Sequence, residues 1–484
     1  MSHVFSNPIR SFLLFFYLST AFFSIQQVFA VSPALENTEA ARPFNDPFVA
    51  SPNVLTLEDC LSIGLKENRL LKQSQNRVKI AQTKQEQLVA AQFPTAKVQI
   101  NQSHRNPRPS SALSRQDSQL LSISESFDPF GKYRSQKNAA DANLRAAQAN
   151  NIDDTIVTAF QITEAYYNVI LAVELRRVAS ESVDQLTRHR DNTKALVDAG
   201  TTPDVDLIRA EVQLAVGQTT LIKARHAISN FAAALYDSIG LDPNSRTRIE
   251  GRFPETIPPD LPLDETQAVQ TALAQRSDLQ ATRSVMEAAR HSLTARQKEL
   301  QPSVEISQEF QRTRGSKSPL REYRNDNTVE VGLVFPFFDS GLTKAQTREA
   351  ALNLDQAKLN YEQTLSSLHV EIRNSISALL ESFQVLVAQE KNVEQAQRAL
   401  DIAEKAYRTG AKTSLDVLDA QVALTQARTL RFQALRDRAV ALAQFERSLG
   451  VMPGYFFRKI SCSPSGEKSQ SKMGQDSPVE PSQP

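Results

Sequence analysis

Two kinds of hydrophobic pattern divide this chain. In the first, apolar residues return every three or four positions. Ile372, Ile376, Leu379, Phe383 and Leu386 alternate steps of four and three, and Val393, Ala396, Leu400, Ala403 and Tyr407 do so again. Ile152, Ile156, Thr163 and Ile170 suggest a similar seam earlier in the chain. A mean spacing of about 3.5 residues specifies helices that supercoil left-handedly around one another. No Pro or Gly lies between Gly131 and Gly200, or between Gly341 and Gly410. Each stretch therefore predicts a helix of close to 70 residues, on the order of 100 Å at ~1.5 Å per residue. A second helix of roughly 35 residues follows each of these glycines, so the chain folds back as helical hairpins with tips near Gly200 and Gly410. Pro203 stands where the returning helix begins, as a first-turn Pro does. The stretch from Thr56 to Phe93, free of Pro and with one Gly, reads as a further helix.

The second pattern has period two. Val98 and Ile100 alternate with Lys97, Gln99 and Asn101, and Leu121 and Ile123 with Ser122 and Ser124. Val304, Ile306 and Phe310 alternate with Glu305, Ser307 and Glu309, and Val329, Val331, Leu333 and Phe335 with Glu330 and Gly332. This predicts strands over about 95–104, 117–127, 302–312 and 327–336. Runs of about ten residues with this alternation match tilted membrane-spanning strands, apolar toward lipid and polar toward a lumen. They also match a soluble hairpin packed on helices. Phe127, Phe130, Phe335, Phe337 and Phe338 lie where an interfacial aromatic girdle would sit, which favours the membrane. Four strands cannot close a barrel alone and an open edge is forbidden in lipid, so membrane strands would require several chains to share one barrel.

The order of elements occurs twice. Pro94 matches Pro302, Gly131 of "FDPFGK" matches Gly341 of "FFDSGL", Gly200 matches Gly410, and Gly240 matches Gly450. The expected architecture is a duplicated helix–strand–strand–helix–helix unit, mainly α with a pair of β-hairpins. Its divisions are 1–30 signal peptide, 31–53 extended leader, 54–250 first repeat, 251–262 Pro-rich linker, 263–454 second repeat and 455–484 disordered tail.

Composition narrows the function. The 484 residues carry a formal net charge of +1, with no basic run interleaved with aromatics, so nucleic acid is not an expected partner. Arg10, the apolar stretch Phe12 to Ile25 and the small-residue site Val28-Phe29-Ala30 read as an export signal, an uncleaved anchor being the alternative. Beyond it no run of 18 apolar residues occurs, and no transmembrane helix is expected. Cys60 and Cys462 are the two cysteines, and sequence does not decide whether they pair. The six His residues are scattered without metal-ligand spacing, and neither a phosphate-cradling Gly loop nor a nucleophile elbow is present. No enzyme activity, cofactor or metal is expected.

The "LTLEDCLSIGLKEN" start, the "FDPFGK" and "FPFFDSG" strand exits and above all "AYRTGAKTSLDVLDAQ" resemble the outer-membrane factor (TolC-like) family over residues 54–452. The resemblance implies a homotrimer with a twelve-stranded outer-membrane barrel continuous with a periplasmic α-helical barrel. It implies a passive exit channel of a tripartite efflux or type I secretion system, located in the outer membrane of a Gram-negative bacterium and in contact with its lipid. Its partners would be a periplasmic adaptor and an inner-membrane transporter. Asp416 and Asp419 fall on the family's acidic selectivity ring at the periplasmic gate. Lys412, and the pair Tyr407 and Asp206, match links that hold the gate closed. Lys412 stands where Arg is common, giving a point charge in place of a bidentate fork, and Pro203 stiffens the first tip. Without the resemblance, Asp416 and Asp419 are simply acidic residues favourable to a helix N-terminus. A non-pore periplasmic coiled-coil scaffold is the alternative reading of the whole chain. Cargo is not legible.

Overall fold

The computed structural model describes residues 54–104, 115–245, 247–254, 261–315 and 324–455. The expected signal peptide and leader, Cys462 and nearly all of the expected tail lie outside the described residues.

The first half begins with a short strand β1 (Val54–Leu55) and helices α1 (Leu57–Glu67) and α2 (Arg69–Ala90). Strands β2 (Thr95–His104) and β3 (Arg115–Phe127) follow, then α3 (Lys132–Asp198), α4 (Asp204–Ile239) and β4 (Arg248–Ile249). The second half has α5 (Glu265–Gln275), α6 (Ser277–Gln297), β5 (Ser303–Gly315), β6 (Arg324–Val334), α7 (Leu342–Arg408) and α8 (Ser414–Ser448). Helices α3 and α7 are each 67 residues long, which is about 100 Å.

The turns that launch these two helices explain the quoted motifs. In "FDPFGK" the Asp128 carboxylate accepts the Phe130 and Tyr133 N–H groups, and Gly131 takes a left-handed φ of 77°. In "FFDSGL" Asp339 accepts from Gly341 and Thr343, with Gly341 at φ 88°. A side chain bonds the orphan N–H groups of the helix start, and Gly supplies the backbone angle.

Each expected single helix ahead of a strand pair is broken in two. Asn68 leaves helical geometry, accepts from the Leu70 and Leu71 N–H groups and donates to the Ser238 carbonyl at 2.7 Å. At the matching joint Arg276 pairs with Asp278 and Glu371, both at 2.6 Å. The short parallel pair β1–β4 and the Tyr166 hydroxyl, which donates to the Glu250 carbonyl, tie the two ends of the first half together.

The four longer strands form one antiparallel sheet in the order β2-β3-β5-β6, leaving β2 and β6 as edges. One face of it presents Val98, Ile100, Ile306, Val329, Val331 and Leu333, all exposed.

Helix α3 is the spine. It packs against α2 and α6 beside the sheet and against α4 and α8 toward the tips. Its buried positions are rich in Ala, among them Ala139, Ala142, Ala146 and Ala159, so neighbouring backbones approach closely. Ile156, Thr163 and Ile170 are buried as the seam requires, whereas Ile152 is turned to the exposed side. One window of helix α3 reaches the mean hydropathy and length of a membrane span, though it includes polar residues and is no continuous apolar run. That window is 56% buried within the fold. In the second half Leu368, Ile372, Leu379, Leu442 and Phe445 form a core between α7 and α8, closed by Ala268 and Ala272 of α5. Cys60 is fully buried and, among the described residues, unpaired; burial pushes its thiol up to about 12.

Candidate functional site

The two hairpin turns are built alike. After α3 the chain reverses at Gly200 (φ 72°), where the Thr201 N–H reaches back to the Leu196 carbonyl at 2.9 Å. After α7 it reverses at Gly410 (φ 75°), where the Ala411 N–H reaches the Ala406 carbonyl at 2.9 Å. Both follow the six-to-one closure that ends a helix on a left-handed residue. The returning helices start differently. Pro203 is the residue before the first turn of α4 and has no side-chain cap to offer, one position earlier than a first-turn Pro. Helix α8 has a complete capping box. The Asp416 carboxylate accepts the Thr413 N–H at 2.9 Å and its hydroxyl at 2.8 Å, while the Asp416 N–H donates back to Thr413 Oγ1 at 3.4 Å.

Asp416 is thus held in place by its own helix start. Bonds from Thr413, and then the Lys412 ammonium 3.5 Å away, hold its carboxyl below the usual carboxylate range. Asp419, one turn further and on the same side, is exposed. Lys412 pairs with Asp416 inside its own hairpin. Asp206 pairs with Arg209 at 3.5 Å, and the Tyr407 hydroxyl is buried with no hydrogen-bond partner. No bond joins Tyr407 to Asp206 within the chain.

Between them lies a residue that sequence reasoning passed over. His189, on α3, is 6% exposed, and its Nε2 lies 2.9 Å from the hydroxyl of Ser414, the first residue of α8 and itself buried. Its ring stands 6.0 Å from that of Tyr407. Burial pushes the imidazole below its ordinary pKa, and the Asp206 charge opposes the shift. Leu186, Leu214 and Leu418 of α3, α4 and α8 form a small apolar cluster in this part of the fold. Further up the same interface Arg428 joins Glu181 at 3.0 Å and Thr425 joins Ser182 at 3.3 Å. The only advance signal for His189 was its position on an otherwise helical stretch.

The two hairpins are therefore latched laterally near their tips, while the acidic pair of α8 stays at the surface. Such an arrangement exposes carboxylates at the tip, while the His189–Ser414 pair is buried between the helices.

The model of the outer membrane efflux protein family matches residues 61–241 and 268–451, one stretch in each half. The chain is 24% identical over 326 residues to the outer membrane efflux protein BepC of Brucella suis biovar 1, covering 67% of this chain and 70% of that protein. It is 23% identical over 299 residues to the outer membrane protein TolC of Escherichia coli strain K12, covering 60% of each. The solved structure of the CmeC outer membrane channel of Campylobacter jejuni superposes with a TM-score of 0.73 at 17% identity, covering 84% of this chain and 88% of that one.

Proposed function

The chain belongs to the outer membrane efflux protein family, and from that premise we propose that three copies close into a passive outer-membrane exit duct of a tripartite efflux or secretion system. The observation that carries this reading is the four-stranded sheet. One of its faces exposes Val98 (72%), Ile100 (73%) and Leu333 (70%), and both edge strands lack a partner among the described residues. An apolar face with open edges is stable in lipid only when β6 of one copy pairs with β2 of the next, and three copies give twelve strands. The opposite face carries Lys97, Glu305, Glu309 and Glu330, suited to a watery lumen. Phe335, Phe337 and Phe338, all exposed, supply aromatic anchors where the strands meet the helices.

Below the sheet the 67-residue helices of each copy extend the duct through the periplasm to the tips. There Asp416 and Asp419 of three copies ring the opening and favour cations. Lys412, Tyr407 and Asp206 act as the links of the closed state, with Gly200 and Gly410 as the hairpin tips on which a periplasmic adaptor docks. The energy comes from an inner-membrane transporter. The mass of the protein extracted in detergent from washed membranes tests the reading: it should be close to three mature chains. Recovery as a soluble periplasmic protein would replace the duct with a coiled-coil scaffold.

A further inference from the structure

The face of the sheet assigned to lipid has a second boundary. Its apolar residues stop at Leu121 on β3, Phe310 on β5 and Val329 on β6, counted toward the strand ends remote from the helices. Two and four residues beyond Phe310, on the same face by the period of the strand, stand Arg312 and Arg314, both exposed. Gln119 and Asn325 flank Arg312 on that face, and the Asp117 carboxylate stands opposite Arg314, whose remaining guanidinium donors can reach a second anion. We propose that Arg312 and Arg314 bind the phosphate-bearing headgroups of lipids in the outer leaflet, at the upper rim of the apolar band. The site rests on the duct reading, which sets the helices on the periplasmic side and these strand ends on the outer side.

Three observations select this occupant. The arginines continue the apolar band without a break, so a lipid whose tails lie on Val329, Phe310 and Leu121 places its headgroup at their height. A guanidinium presents a rigid fork that matches phosphate oxygens bidentately, and its apolar stem lies along hydrocarbon while its charge reaches the interface. Cations also outnumber acids on the described strand ends here, where Arg312, Arg314 and Arg324 stand with Asp117 and Asp326. Toward the helices the same face carries Glu125, opposite Ile306, and then Phe127, opposite Val304.

The test is native mass spectrometry of the detergent-purified full-mass protein, titrated with diphosphoryl lipid A and, separately, with the dephosphorylated lipid. The wild type should retain the phosphorylated lipid preferentially. R312Q and R314Q should each weaken retention by about fivefold, as expected for one basic residue at an anionic surface. R312K/R314K, which keeps the charge and loses the fork, should bind more tightly than R312Q/R314Q and more weakly than the wild type. Equal retention of the phosphorylated lipid by R312Q/R314Q would overturn the site, as would equal retention of the dephosphorylated lipid. Displacement by inorganic phosphate as readily as by the lipid would overturn it too, showing a plain anion site. Membrane residence and oligomer mass, measured on the same preparation, report on the duct separately: a full-mass membrane protein with no phosphate preference refutes only the lipid site.

Discussion

Replacing His189 by Ala is the sharpest probe of the latch between the hairpins. The bond from His189 to Ser414 crosses from α3 to the first residue of α8, and both partners are buried. Truncation leaves the Ser414 hydroxyl without its partner, a loss of about 1–3 kcal/mol where water cannot substitute. That corresponds to roughly 5- to 150-fold faster local opening of the first turn of α8. Amide hydrogen exchange of the assembled protein over residues 409–418 reads this directly. In the double variant H189A/S414A no orphan remains, so its opening should be slower than the two single effects combined predict. The same latch carries a pH dependence. A packed imidazole resists protonation, whereas an unpacked one takes a proton near its ordinary pKa of about 6.5. The closed latch is therefore at full strength above pH 6.5 and loses strength as pH falls below it, and H189N should abolish that trend. Exchange in H189A within twofold of wild type, or strictly additive single effects, would refute the reasoning.

Two further outcomes follow from the geometry. D419N should lower cation selectivity, read as the reversal potential across a planar bilayer under a salt gradient, without changing thermal stability. D416N should lower both, because Asp416 also closes the capping box with Thr413 and pairs with Lys412. Unchanged selectivity in the double variant removes the gate assignment. At Gly450, φ is 78° and a Cβ would lie 2.9 Å from the Arg276 Cα. G450A should therefore cost about 1–2 kcal/mol from the left-handed backbone alone, and more from the contact, seen as a lowered melting temperature with unaltered conductance in the surviving protein.

What the residues revealed in advance depended on whether the cause was local. The 67-residue helices were legible because nothing between Gly131 and Gly200, or Gly341 and Gly410, opposes a helix. The strands were legible because period two on an exposed sheet is imposed by solvent contrast across one residue. The breaks at Asn68 and Arg276 were not, because their causes are distant: Ser238 receives the Asn68 amide, and Glu371 receives the Arg276 guanidinium. Asn before a Leu-Leu-rich helix start was the available hint for the first break, and Arg276 gave none. β1 and β4, at two residues each, are too short to have a period. His189 stayed hidden because its partner lies 225 positions along the chain. The acidic pair of α8 came from the likeness of its segment to a family, and no spacing rule would have singled it out from other helix starts.

The exposed seams make a stronger case for assembly than the sheet alone. Helix α7 leaves Leu352, Leu359, Leu380 and Val387 exposed, in two pairs that each step by seven residues. A heptad row is a half-interface, and it demands a helix alongside it. Among the described residues α7 packs chiefly on α8, α6 and α5 and leaves these four side chains exposed, which a neighbouring copy in the proposed trimer would cover. Two other helices expose apolar rows: α2, through Leu70 and Ile80 beside the sheet, and α4, through Val205, Ile208, Val212 and Val216 near the tip. Beside the sheet, packing runs α2-α3-α6-α7; toward the tips it runs α4-α3-α8-α7; in the sheet it runs β2-β3-β5-β6. At every level the first-half edge and the second-half edge face opposite ways. One head-to-tail rotation covers all three pairs of edges together, and such a contact forms a ring when the rotation closes. In the proposed trimer the same operation closes the barrel, the helical wall and the ring of carboxylates, so a substitution that opens the α7 seam at Leu380 should weaken the barrel as well as the tip.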